Sequence, residues 1–244
     1  MDSVYQESIG PVNASAGRHR GGPGGRTAGP RAVEGTVTAT PGQPVTEAQR
    51  ARYQRMVDVA TMLVTTGGED AVQMSDMPAL AEVSLATLYR YFPSKEHLLF
   101  AVVHQHLESL LARAHPNLRA GLTVSERVAR TLLRAFDFDQ RVPTMGRVVR
   151  RLARASDPVF LSERERVAKL QLDIVLKVAE PMSDQQRQVL GIVLPAAAAA
   201  IERWMVGSIA PREVRFAIFT ACRLLDLPPE QVDADRARAD SSQR

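Results

Sequence analysis

The chain has 244 residues, of which 45% are hydrophobic and 24% charged, with a formal net charge of +4. That much apolar matter can build a real core, as one large domain or two small ones. The single cysteine, Cys222, excludes an internal disulfide framework, and the longest apolar run, residues 192–201, is about half of the roughly 20 residues a membrane span needs, so a soluble cytoplasmic protein is expected.

The positive charge is unevenly spread. Residues 45–114 carry six basic side chains against eight acidic, whereas residues 115–244 carry 21 against 16. A basic total is therefore no argument for nucleic-acid binding, which has to rest on where individual cations sit.

Residues 1–44 contain nine Gly and five Pro, including the run GRHRGGPGGRTAGPR. Such a segment buries too little to offset its ordering entropy, and a disordered arm is expected. Arg18, Arg20, Arg26 and Arg31 lie in it; the ordinary reading is solvated chain with no role, the sharper one an arm that follows a DNA minor groove or adds phosphate contacts. Order begins at Thr46, which with Gln49 forms a capping box. Tyr53, Met56, Val57, Ala60, Leu63 and Val64 then fall on one helical stripe that stops at Gly67 and Gly68.

Two short helices and the start of a third follow. Met77, Leu80 and Ala81 make one apolar face, and Pro78 belongs in the first turn of a helix starting near Ser75, where its missing amide is harmless. Glu82 and Val83 break the spacing. Ser84 is placed as an N-cap for a helix over 85–91, in which Leu85, Leu88 and Phe92 should face inward while Thr87, Arg90 and Tyr91 point away and Tyr89 sits at the edge. Pro93 stops it, and Ser94 caps the next helix, whose first turn holds Lys95 and Glu96.

Periodicity and capping predict helices near 47–66, 75–81, 84–91, 95–114, 124–139, 144–155, 162–179, 184–207 and 211–226. Thr123 with Glu126, Ser162 with Glu165 and Ser183 with Gln186 repeat the capping signature, and Pro116, Pro143, Pro158, Pro181 and Pro211 mark breaks or first turns. No strand signal competes, so the expected fold is all-α. Residues 228–244 are polar and read as a frayed tail.

The run ATLYRYFPSKEHLL resembles the signature of the TetR family of bacterial repressors, and the likeness extends over roughly residues 46–114. The resemblance implies a helix-turn-helix head on an all-helical ligand-binding and dimerisation domain, here 45–94 and 95–227. It implies that Ser84, Thr87, Tyr89, Arg90, Tyr91 and Lys95 face DNA, and that the molecule dimerises through a four-helix bundle built from helices 184–207 and 211–226. The family usually has Gly in the turn where this chain has Glu82. The layout looks most like actinobacterial repressors of steroid and lipid catabolism, whose effectors are CoA thioesters. The implied function is a ligand-released repressor on a near-palindromic double-stranded operator, with an apolar or CoA-type effector among helices four to eight; an activator or a ligand-independent regulator is the alternative.

Arg147, Arg150, Arg151 and Arg154 share a helix face that is either solvated or draws in an anionic effector. His104 and His106 are two apart and diverge, which is wrong for a metal pair, and no metal or cofactor is expected. Trp204, Met205, Phe136, Phe138 and Met145 read as core. An enzyme is disfavoured because no Gly-rich phosphate loop precedes a helix, no zinc-ligand pattern is present and the lone cysteine lies in an apolar run.

Overall fold

The computed structural model describes residues 41–115 and 121–241, all within one compact unit. The expected arm lies outside the described residues up to position 40, as does Pro116. Ten α-helices and no strand occur among the described residues: α1 (Glu47–Gly67), α2 (Met77–Leu80), α3 (Leu85–Tyr91), α4 (Lys95–Arg113), α5 (Val124–Arg141), α6 (Pro143–Ala153), α7 (Leu161–Ala179), α8 (Asp184–Met205), α9 (Pro211–Cys222) and α10 (Pro229–Ser241).

Three helices start as their capping boxes require. Thr46, Thr123 and Ser183 each accept the backbone amide of the Gln or Glu three residues on, and that side chain accepts the cap's own amide in return. The box expected at Ser162 and Glu165 does not form. A 3-10 turn, Pro158–Phe160, runs straight into α7, and the cap is Asp157, whose carboxylate accepts the Val159 amide at 2.9 Å. Helix α2 is shorter than expected and begins at Met77. The Asp76 carboxylate accepts from the Ser75 hydroxyl at 2.8 Å and makes no cap hydrogen bond, so only Pro78's fixed φ organises the first turn. Helix α9 tightens into a 3-10 turn at Arg223–Asp226. The expected tail is a helix, α10, largely polar and tied to the body by Val232, which packs against the second core, and by the Arg236 guanidinium on Gln188.

The apolar stripes pack into two clusters. The first joins α1, α2 and α3 to α4, α6 and α7 through Met56, Val57, Leu88, Phe92, Leu98, Leu99 and Phe100. Stacking of Phe100 on Phe160, 5.2 Å between centroids, extends it under α7. The second joins α5, α7, α8 and α9 through smaller residues, among them Val128, Ala129, Ala179, Val193, Ala197 and Ala200, around a single buried aromatic, Phe136, on which Trp204 sits edge-on at 5.1 Å. Cys222 lies in that cluster, its thiol pushed up to about 12 by burial and by Asp226, so it is inert filling. Helix α4 therefore shares one core with the three helices before it.

Candidate nucleic-acid interface

The turn between α2 and α3 reverses the chain in three residues. Ala81 is buried, and Glu82 takes φ 53°, the left-handed region in which a Cβ is strained. That is the physical reason for a glycine preference here. The strain is held by two backbone anchors: the Val83 amide donates to the Pro78 carbonyl at 3.0 Å, and Arg55 of α1 donates from Nε to the Ala81 carbonyl at 3.5 Å. The Glu82 side chain is exposed.

Ser84 then caps α3. Its hydroxyl oxygen accepts the Thr87 amide at 3.1 Å and lies 2.8 Å from the Thr87 hydroxyl. Leu88, Tyr91 and Phe92, spaced three and four apart, form the buried face. Tyr53 of α1 closes it, edge-on to Tyr91 at 5.8 Å and tilted over Phe92 at 4.9 Å. On the opposite side Ser84, Leu85, Ala86, Tyr89 and Arg90 are exposed, and Thr87 is half-buried beneath them.

Two expectations about this helix change. Tyr91 does not face outward: it is 2% exposed, with Arg90 stacked over its ring at 4.7 Å and donating from Nη2 to its hydroxyl at 3.0 Å. Its ring serves the core and its hydroxyl oxygen accepts from Arg90, so Tyr91 does not belong to the outward face of α3. Leu85 does the reverse; expected inward, it is 51% exposed. Leu80, expected on the buried face of α2, is likewise exposed, while Met77 and Ala81 are buried. The first turn of α3 projects past the small core, so its apolar residue has nothing to pack on. Leu85 and Ala86 thus join the outward face, where apolar side chains can meet a thymine methyl group. Periodicity assigned Tyr91 and Leu85 wrongly; the signal that could have corrected Tyr91 is Tyr53, an aromatic on α1 calling for a ring partner.

Beyond Pro93 the chain enters α4. The Ser94 hydroxyl accepts the His97 amide at 3.5 Å and lies 2.9 Å from His97 Nδ1, and Lys95 is the first helical residue, half-buried beside the free amides of that turn. The Lys95 ammonium thus sits at a helix N-terminus, where backbone N–H groups point outward. Arg50, Arg52 and Arg55 are exposed along α1.

Behind the head, His104 is buried against α7, its Nδ1 3.4 Å from Glu163 Oε2 and its Nε2 3.3 Å from the Glu163 carbonyl. Burial pushes its imidazole below the ordinary range, Arg166 adds to this, and Glu163 opposes it. His97 and His106 are lowered chiefly by burial too. Among the described residues no three His, Cys, Asp or Glu side chains form a metal-holding group.

The basic face of α6 is largely neutralised. Arg150 pairs with the buried Asp139, Arg151 with Glu69 in the turn that follows α1, and Arg154 with Glu202 of α8; Arg147 is exposed. Burial raises the Asp139 carboxyl, with Arg150 opposing. A cleft of about 300 Å³ opens between α6, α7 and α8, lined by Arg150, Arg154, Gln171, Glu202, Pro195 and three alanines.

Among known proteins, the family model described as bacterial regulatory proteins, tetR family, matches residues 56–102, the span from α1 into α4. The transcriptional repressor KstR of Mycobacterium tuberculosis is 29% identical over 200 residues, covering 80% of this chain and 90% of that protein. A TetR transcriptional regulator from Rhodococcus sp. RHA1 superposes with a TM-score of 0.63 at 26% identity, over 74% of this chain and 97% of that structure. FadR from Bacillus subtilis, solved in complex with stearoyl-CoA, shares the fold at a TM-score of 0.52 and 17% identity, over 71% and 97%. No helix among the described residues is long and apolar enough to cross a membrane. With the exposed α3 on its capped turn and these likenesses, the chain belongs to the TetR family of bacterial regulatory proteins and is a DNA-binding transcription regulator.

Proposed function

We propose that the chain is a ligand-released repressor that binds a near-palindromic operator as a homodimer, with residues 45–94 as its DNA-binding head and 95–227 as its effector and dimerisation part. The observation that carries the DNA-docking reading is the outward face of α3, which presents Ser84, Tyr89 and Arg90 in the open while its other side is locked by Leu88, Tyr91 and Phe92. In this reading Arg90 reads a base edge, Ser84, Thr87 and Tyr89 set the helix in the major groove, and Lys95 holds a phosphate.

Dimerisation is supported by α8 and α9. Ile192, Phe216 and Phe219 are more than half exposed and Leu224 is 37% exposed. Exposed large apolar side chains on neighbouring helices suit an interface, and two-fold symmetry then sets two recognition helices against half-sites about one helical turn, or a multiple of it, apart. The effector is an acyl-CoA class metabolite, chosen on the likeness to KstR and on the ligand of the FadR fold relative. It enters beside the cleft between α6, α7 and α8, whose size is at the low end of the roughly 300–1,000 Å³ of ligand sites. Release requires that it favour the DNA-incompetent state, by about 5.5 kcal/mol for a full 1:99 to 99:1 swing.

Fluorescence anisotropy with duplexes tiled across the DNA upstream of the chain's own gene, with and without stearoyl-CoA, tests the whole reading. One duplex should bind tightly as a dimer and be released by the thioester. A protein that is monomeric and retains no duplex at low ionic strength defeats it.

A further inference from the structure

The cleft between α6, α7 and α8 holds more positive charge than negative. Arg150 and Arg154 line it on the α6 side, and Glu202, Pro195, Ala198 and Ala199 line it on the α8 side, so two guanidinium groups stand against one carboxylate. Neither cation is fully engaged. Arg150 gives one of its five N–H groups to Asp139, and its Nε is buried with no acceptor. A buried donor left unpaired costs more than an ordinary hydrogen bond returns, so this guanidinium gains if an oxygen in the cleft lets it turn and bond through more of its fork. The Arg154 side chain is held by Glu202, and at 66% exposure such an ion pair is weak. Glu202 therefore occupies the place of an external oxyanion and is displaced at little cost. The volume, about 300 Å³, is at the low end for ligand sites. That is too small for a whole acyl-CoA, so one end of the effector sits here, and two guanidinium groups select the end that carries negative oxygens.

We propose that this cleft is an oxyanion subsite, in which Arg150 and Arg154 bind a phosphate of the effector or the carboxylate of a free acid, and Glu202 is a built-in competitor that the oxyanion displaces from Arg154. The proposal rests on an effector of the acyl-CoA class binding at this part of the chain. Isothermal titration calorimetry of the full chain with octanoyl-CoA, free CoA and octanoate tests it, with melting curves showing every variant folded. The two halves of the Arg154–Glu202 pair should act in opposite directions. Arg154→Gln should weaken binding about tenfold, through loss of a charge-assisted hydrogen bond, and Glu202→Gln should tighten it about twofold to fivefold, the worth of an exposed ion pair. A pair that only braces α6 against α8 would shift both the same way. Arg150→Lys, which keeps a cation beside Asp139 and gives up the fork, should weaken binding as well. Opposed shifts with octanoyl-CoA and free CoA support the subsite with phosphate as its ligand; opposed shifts with octanoate alone support it with a carboxylate and remove the thioester from the effector reading. Octanoyl-CoA bound with one affinity by parent and variants alike, or more weakly by both halves of the pair, would overturn the subsite and leave the effector reading standing. A chain that binds none of the three probes would overturn both.

Discussion

The two cores of this molecule are built from different side chains. The one beneath the DNA-facing helix interlocks aromatics and long aliphatics, with Tyr91, Phe92, Phe100, Met56 and Leu98 all at 2% exposure or less. The one between α5, α7, α8 and α9 holds many valines and alanines, with aliphatics such as Leu190 and Ile218, around one buried aromatic, Phe136, and has a cleft at its edge. Large rings in fixed packing hold a geometry, because any shift loses many contacts at once. Small residues let helices come close and slide at lower cost. The first core is suited to holding α3 and the start of α4 in register, the second to yielding when something enters beside it.

The largest effect that can break this contrast comes from truncation. Leu98→Ala and Leu190→Ala remove the same atoms from the two cores, and each should cost about 2–5 kcal/mol. Leu98→Ala should fall toward the upper end and weaken DNA binding too; Leu190→Ala should leave DNA affinity unchanged and alter only the response to effector. Denaturant unfolding and anisotropy on the same samples decide it, and equal losses of DNA affinity would erase the distinction. Next in size, Arg90→Ala should relax preference at one base position by about 1–3 kcal/mol, whereas Lys95→Ala should weaken all sequences alike and lower the salt slope by about one. A selection experiment that returns the parental motif for Arg90→Ala would remove Arg90 from base reading.

A smaller gain is expected from Glu82→Gly. Relieving a side chain held at positive φ should stabilise the chain by about 1 kcal/mol, seen as a higher melting temperature. Smallest is the pH response. With the imidazole of His104 lowered by burial, the unfolded chain takes up the proton first, so stability is complete above the ordinary histidine value of about 6.5 and is lost as pH falls below it. His97 and His106 act in the same direction. Replacing His104 by Gln should flatten the fall in melting temperature between pH 7 and 5, and an unchanged slope would exclude it as a contributor.

Most of the helical order was legible because caps and breaks are local chemistry. Thr46 with Gln49 and Ser84 before Leu85 announce their helices within four residues, and the bounds of α3 follow from Ser84 and Pro93 alone. What was not legible is which side of a seven-residue helix faces the core. Leu85 carries the hydropathy of a core residue, but burial depends on whether another helix reaches that turn, and none does. Tyr91 looks like a surface residue until Tyr53 supplies a ring partner and Arg90 a donor for its hydroxyl. The tail helix was missed for the opposite reason: α10 has no apolar stripe, yet its Ala, Arg and Glu favour helix and Pro229 starts it. The neutralised face of α6 was out of reach too, since Glu69, Asp139 and Glu202 lie far apart in the chain.

Helix α4 is 19 residues long, so at 1.5 Å per residue its ends are about 28 Å apart. Its first residue is Lys95, at the seat assigned to a phosphate, and its later turns press on α6 and α7. Were such a rod to tilt by about 5° around its far end, the ammonium would sweep an arc of about 2.4 Å, on that same rise per residue. A hydrogen bond to phosphate does not survive so large a displacement. Bound and unbound states could then differ by a swing of a few degrees, with no loss of secondary structure in either.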